Sequence, residues 1–129
     1  MANPLLRDGP IPAAAHGVIE YLAGVAFIAA PLLFGFESGS ATGVSVAVGI
    51  VILLVAGTTA GPTGLVDGLS ISAHVVLDYA LAVLLIIAPF VLGFSDEQEP
   101  TIFFIVLGIV HLLVTIGTRF ESSEQSQTH

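Results

Sequence analysis

Residues Ala73 to Phe94 read AHVVLDYALAVLLIIAPFVLGF, and they repeat an earlier stretch, Ala15 to Phe36, which reads AHGVIEYLAGVAFIAAPLLFGF. The two stretches align at an offset of 58 positions, and 10 of the 22 aligned residues are identical. Composition alone does not produce this agreement between unrelated apolar helices, so the chain contains a duplicated unit. Each copy is apolar over about 20 residues, the length that an α-helix needs to cross the hydrocarbon core of a bilayer.

The composition of the whole chain is typical of a membrane protein. Hydrophobic residues make up 55% and charged residues 9% of the 129 residues, with a mean hydropathy of +1.02, whereas a soluble domain carries about 25% charged residues. The net charge of −8 argues against nucleic acid as a partner. No cysteine is present, which excludes disulfides and thiolate metal sites. We therefore expect the lipid bilayer as the partner, while contacts with other copies or other membrane proteins stay open.

The duplication predicts four spans. The second half of each copy is also related, because VGIVILLV at 48–55 recurs as LGIVHLLV at 107–114. Open sheet edges cannot exist in lipid, so helices are predicted rather than strands. The predicted spans are Ala13 to Phe34, Val44 to Thr59, Ala73 to Leu92 and Ile102 to Thr118.

The predicted fold is all-α, an integral membrane four-helix bundle made of two tandem two-helix repeats in the same orientation. We expect a single membrane domain over 1–129, with repeat 1 at about 13–59, a linker at 60–72, repeat 2 at about 73–118 and a polar tail at 119–129. Two helices per repeat return the chain to its starting side, so Arg7 and Arg119 lie on one side. The positive-inside rule then predicts a multi-pass protein of the cell membrane with both termini cytoplasmic. The short loops at 36–42 and 95–101 would face outward.

Two pairs of ionisable residues lie within the spans. His16 with Glu20, and His74 with Asp78, are i,i+4 pairs that share one helix face. Ionisable residues inside spans indicate a functional site by default, such as a proton relay or an ion site. The structural alternative is that they lie near the interface, where they hydrate and the acids favour a helix N-terminus.

The same four residues, His16, Glu20, His74 and Asp78, are candidate metal ligands. Imidazole and carboxylate are donors for zinc and other divalent ions, although H-x-x-x-E is a loose pattern and no water-activating partner accompanies it. A haem held by His74 and His111 is a further alternative, but the two depths differ and no attachment motif is present. No cofactor is predicted.

His111 breaks the internal symmetry, because repeat 1 has Ile52 at the matching position. Counting along span four places His111 near the middle of the membrane, where a neutral imidazole needs partners for both nitrogens. Asp78 lies within about 5 Å of the same depth at 1.5 Å per residue. We therefore predict a buried hydrogen-bonded pair of Asp78 and His111. Removing one partner should then destabilise the fold more than removing both.

Prolines and glycines have structural interpretations. Each copy ends in A-P-x-x-x-G-F, in which the proline removes a helical hydrogen bond and the glycine lets the chain turn. Gly24, Gly49 and Gly108 are predicted to mark close helix contacts, because small residues let helix backbones approach in lipid.

The chain lacks the G-x-S-x-G, Walker, H-E-x-x-H and Rossmann patterns, so no enzyme is predicted. The leading hypothesis is a small structural or accessory membrane protein of unassigned biochemical activity. The alternative is a transporter or channel-like unit in which Glu20, Asp78 and His111 line a path for protons or ions.

The duplicated hairpin, the P-x-x-x-G-F ends and the HVVLDYALAVLLIIAPFVLGF segment resemble the SPW-repeat family of small integral membrane proteins. The resemblance covers both halves of the chain. Members carry a Ser-Pro-Trp motif in a two-helix repeat, and here residues 30–32, Ala-Pro-Leu, and 88–90, Ala-Pro-Phe, keep only its proline. The resemblance implies an integral membrane protein without an assigned biochemical function, and it names no site residues.

Overall fold

The structure, a computed structural model, describes residues 9–119. Each of its four helices is long and apolar enough to cross a membrane. The predicted all-α four-helix membrane bundle is therefore confirmed. The helices are α1 (Ala13–Leu33), α2 (Gly39–Thr58), α3 (Ile71–Val91) and α4 (Gln98–Gly117).

The second helix of each repeat begins earlier than predicted. α2 begins at Gly39 because the side chain of Ser38 accepts a hydrogen bond from the N–H of Ala41 at 3.1 Å, which caps the helix. α4 begins at Gln98 and includes Pro100 in its first turn, where a missing N–H loses no intrahelical bond. The loops at 34–38 and 92–97 are consequently shorter than predicted.

The P-x-x-x-G-F ends form the Schellman type of helix terminus. Gly35 and Gly93 have positive φ angles of 64° and 79°, which a glycine adopts without steric cost. The N–H of Phe36 donates to the carbonyl of Pro31 at 3.0 Å, and the N–H of Phe94 donates to the corresponding proline carbonyl at 2.9 Å. The repeated motif therefore encodes where α1 and α3 stop.

Pro31 leaves the carbonyl of Phe27 without its helical donor, because proline has no N–H. The hydroxyl of Ser45 on α2 donates to that carbonyl at 2.6 Å. A polar residue inside α2 therefore satisfies a backbone group of α1, which removes the penalty of an unpaired carbonyl in lipid.

Small residues let the helices of each hairpin approach closely. A Cβ atom at Gly49 would lie 2.5 Å from the carbonyl oxygen of Gly24, and one at Gly108 would lie 3.0 Å from the Cβ of Leu85. The predicted close contacts at Gly24, Gly49 and Gly108 are therefore confirmed.

The bundle core at the end with the two short loops is apolar and aromatic. Phe104 packs edge-to-face against Phe27, with ring centroids 5.4 Å apart, and against Phe94 at 5.1 Å. Such edge-to-face pairs add about 0.5–1.5 kcal/mol each beyond area burial. All helices contribute to this core, which contains Phe27, Ala41, Ile52, Leu85, Ala88, Phe94 and Phe104.

At the opposite end, short backbone pairings join the repeats. β1 (Ile11–Pro12) pairs in parallel with β2 (Thr118–Arg119). Thr59 forms a matching parallel bridge with Leu69. Each repeat therefore ends in a threonine held beside the start of the other repeat's first helix.

Candidate functional site

The buried polar residues gather at the end of the bundle that carries these pairings. We define the His–carboxylate cluster as His16 and Glu20 of α1 with His74 and Asp78 of α3. Each is at most 4% exposed, and one nitrogen or oxygen atom from each lies within 4.8 Å of those from the others. The structure thus brings the four sequence candidates into one site.

The contacts within the cluster run between the repeats as well as within each helix. His16 Nε2 lies 3.0 Å from Asp78 Oδ2, and His74 Nε2 lies 2.8 Å from Glu20 Oε1. The i,i+4 contacts expected from the sequence are also present, at 3.4 Å for His16 with Glu20 and 3.1 Å for His74 with Asp78. Each histidine therefore meets both carboxylates.

Thr59 and Thr118 fix the orientation of the two rings. His74 Nδ1 lies 2.6 Å from Thr59 Oγ1, and His16 Nδ1 lies 2.8 Å from Thr118 Oγ1. Each threonine hydroxyl donates its only proton to a backbone carbonyl one turn earlier, that of Val55 or of Val114. The threonine oxygens must consequently accept, so each histidine carries a proton on Nδ1.

This arrangement determines what the other ring nitrogen faces. A neutral imidazole protonated on Nδ1 presents a lone pair at Nε2. Here Nε2 of both histidines points at carboxylate oxygens, which present lone pairs of their own when ionised. The contacts are attractive only when protons or a cation lie between these atoms. The His–carboxylate cluster is therefore built to hold positive charge.

His111 of α4 lies beside the cluster. Because α4 ends at Gly117, His111 is about 9 Å from that helix end at 1.5 Å per residue. Its Nε2 lies 3.3 Å from Asp78 Oδ1, yet among the described residues this buried nitrogen has no hydrogen-bond partner. Asp78 and His111 are thus in contact, but no hydrogen bond joins them.

A small cavity connects the cluster with the linker between the repeats. Its volume is about 40 Å³, and His16, Glu20 and His74 line it together with residues 59–64. That volume holds at least one water-sized species. The hydroxyl of Tyr21 donates to the backbone carbonyl of Thr63 at 2.8 Å and holds the linker over this cavity.

The sequence interpretation missed the two threonines, although a signal for them existed. Thr59 and Thr118 occupy the same position in the two repeats, one residue after the end of α2 and of α4. Their identity across the duplication distinguished them from other span-end residues. Only the fold shows that each contacts a histidine of the other repeat.

Fold and site together define a multi-pass α-helical membrane protein with a buried polar centre shared by two repeats. The chain belongs to the SPW repeat domain family, whose model matches residues 14–118. No curated protein and no solved structure matches it. Its Pro31 and Pro89, the retained centre of the Ser-Pro-Trp motif, lie in the last turn of α1 and α3.

Proposed function

We propose that this protein is a non-catalytic structural or accessory component of the cell membrane, in which the His–carboxylate cluster fastens two repeats into one unit. The observation that carries the proposal is the reciprocal geometry, in which each repeat's histidine meets the other repeat's carboxylate and threonine. Two apolar repeats can pack in several arrangements that lipid does not distinguish. Buried polar pairs of this kind specify one of these arrangements.

The distribution of polar groups supports fastening over conduction. Between the cluster and the short loops, Ser45 is the one buried polar side chain in the described part of the chain, and it is committed to the carbonyl of Phe27. Phe27, Phe94 and Phe104 fill the remaining core there. In the short loops beyond this core, the carboxylate of Glu97 accepts hydrogen bonds from the backbone N–H groups of residues 37 and 38. Conduction would require a continuous polar path across the bundle, and the aromatic core interrupts such a path.

A flux measurement tests this proposal against the transporter alternative. Liposomes containing the purified protein should dissipate an imposed proton gradient no faster than protein-free liposomes, because the aromatic core interrupts the path. The matched variants are Asp78→Asn within the cluster and Asp67→Asn at an exposed linker position. Flux that the wild type and Asp67→Asn share, and that Asp78→Asn abolishes, would overturn the proposal and favour a path through Glu20, Asp78 and His111.

We further propose that both termini and the linker lie in the cytoplasm. The support is Arg119 beside the end of α4 together with Arg7, which lies outside the described residues. Reporter fusions at Gly64 and at the C-terminus should show cytoplasmic activity, and a fusion at Gly39 should show external activity. External activity at Gly64 would invert this topology.

A further inference from the structure

We propose that the His–carboxylate cluster binds one divalent transition-metal ion of the Zn²⁺ type, and that this ion joins the two repeats. The ligands are His16 Nε2, His74 Nε2 and one oxygen each from Glu20 and Asp78. The inference deepens the proposed fastening role and rests on it, because the ion would draw its ligands equally from both repeats.

The spacing of the donor atoms fits a tetrahedral site. Zinc binds imidazole nitrogen and carboxylate oxygen at about 2.0–2.2 Å, which puts neighbouring ligand atoms about 3.4 Å apart. The nitrogen-to-oxygen distances between the histidines and the carboxylates are 2.8–3.4 Å. One donor atom from each of the four residues lies within 4.8 Å of all the others. The four donors therefore already converge on a common point.

The threonines supply the outer contacts that zinc-bound histidines need. A metal-ligating histidine donates its other N–H to a neighbouring acceptor, which fixes the ring and exposes a lone pair to the metal. Thr59 and Thr118 accept from Nδ1 of His74 and His16, because their own protons are committed to backbone carbonyls. Both rings consequently present Nε2 in the form that a metal requires.

Charge balance is also satisfied by a divalent ion. Two carboxylates buried in a membrane-spanning bundle carry a charge of −2, and an uncompensated buried charge is costly. The chain has no lysine; of its two arginines, Arg119 follows the end of α4, and Arg7 is not among the described residues. A divalent cation between neutral histidines makes the site electrically neutral.

His111 provides an independent observation that points to the same ligand. Its side chain is nine-tenths buried, and Nε2 lies against the cluster without a hydrogen-bond partner among the described residues. The nitrogen is 3.3 Å from the Asp78 oxygen that faces away from His16 and His74. Unpartnered buried nitrogens are rare in folded proteins. A metal ion bound by Asp78 places a cation beside this unpartnered nitrogen, and the linker cavity gives the ion access to the cluster.

The competing account places protons rather than a metal between the histidines and the carboxylates. The two accounts are separated by loading the full-length protein in detergent with Zn²⁺ or Co²⁺, removing free metal and measuring bound metal by mass spectrometry. We expect one ion per chain, and Co²⁺ absorption bands typical of tetrahedral nitrogen and oxygen ligands. The exposed-site control Asp67→Asn should bind as the wild type does.

Variants of the cluster and of its outer contacts complete the test. Glu20→Gln and Asp78→Asn should lose the bound ion, while Thr118→Val should keep the ligands and weaken affinity by about 10–100-fold. Folding of each variant is checked by far-ultraviolet circular dichroism. Folded wild-type protein that retains no more metal than Glu20→Gln would overturn the metal site. Destabilisation of metal-free protein by the same variants would still support fastening, so the two proposals fail separately.

Discussion

Replacing Asp78 with leucine should lower the free energy of unfolding by about 3–5 kcal/mol, the usual cost of removing one partner from a buried charged pair. Asp78 contacts three histidines, with oxygen-to-nitrogen distances of 3.0, 3.1 and 3.3 Å to His16, His74 and His111. Leucine would leave His111 without its acidic contact, and His16 and His74 with Glu20 alone. Unfolding in detergent micelles, followed by circular dichroism, measures the loss.

Two further variants sharpen this prediction. Asp78→Asn should lose less stability than Asp78→Leu, because its amide N–H can donate to one imidazole lone pair. Asp67→Asn, at an exposed linker position, should change stability little. A loss for Asp78→Leu no larger than that for Asp67→Asn would contradict the buried contacts described above.

The geometry also changes the outcome expected for the double variant of Asp78 and His111. If Asp78 and His111 were partners only of each other, the double variant Asp78→Leu/His111→Leu would be more stable than Asp78→Leu alone. Asp78 instead shares its second oxygen with His16 and His74, which stay in place when His111 is removed. Little rescue is therefore expected from adding His111→Leu.

The helical architecture was predictable because the duplication repeats every signal that defines it. The apolar length gave four spans, and the proline and glycine of each P-x-x-x-G-F end mark the Schellman terminus seen at Gly35 and Gly93. The starts of α2 and α4 were less predictable. The segment before α2 holds several residues able to cap a helix, and only the hydrogen bond of Ser38 to Ala41 distinguishes among them.

The sequence predicted which residues form the site, but not which of them contact each other across the repeats. Helical spacing pairs His16 with Glu20 and His74 with Asp78, since i,i+4 neighbours lie on one face. The shortest contacts nevertheless join the repeats, and these depend on how one hairpin is rotated against the other. The position of His111 along its helix depends on a helix boundary that the sequence did not define. α4 begins at Gln98, so its midpoint lies closer to the loops than the apolar run indicated.

Replacing the whole His–carboxylate cluster with apolar residues should restore most of the stability that Asp78→Leu loses. The variant combines His16→Leu, Glu20→Met, His74→Leu and Asp78→Val, which keep approximate side-chain volume. Removing every charge together removes the desolvation penalty that a single replacement leaves behind, and such exchanges are often neutral or stabilising. Thr59 and Thr118 stay satisfied, because their hydroxyls still donate to backbone carbonyls.

The two stabilities are compared in metal-free protein. There the free energy of unfolding of the fourfold variant should exceed that of Asp78→Leu by about 2 kcal/mol or more. It should also retain no Zn²⁺ or Co²⁺ after loading, since all four proposed ligands are gone. A fourfold variant as unstable as Asp78→Leu would mean that the loss in Asp78→Leu does not come from one unpaired buried charge. Wild-type metal content in that variant would instead locate the ion elsewhere, because leucine, valine and methionine at these positions offer no nitrogen or oxygen donor.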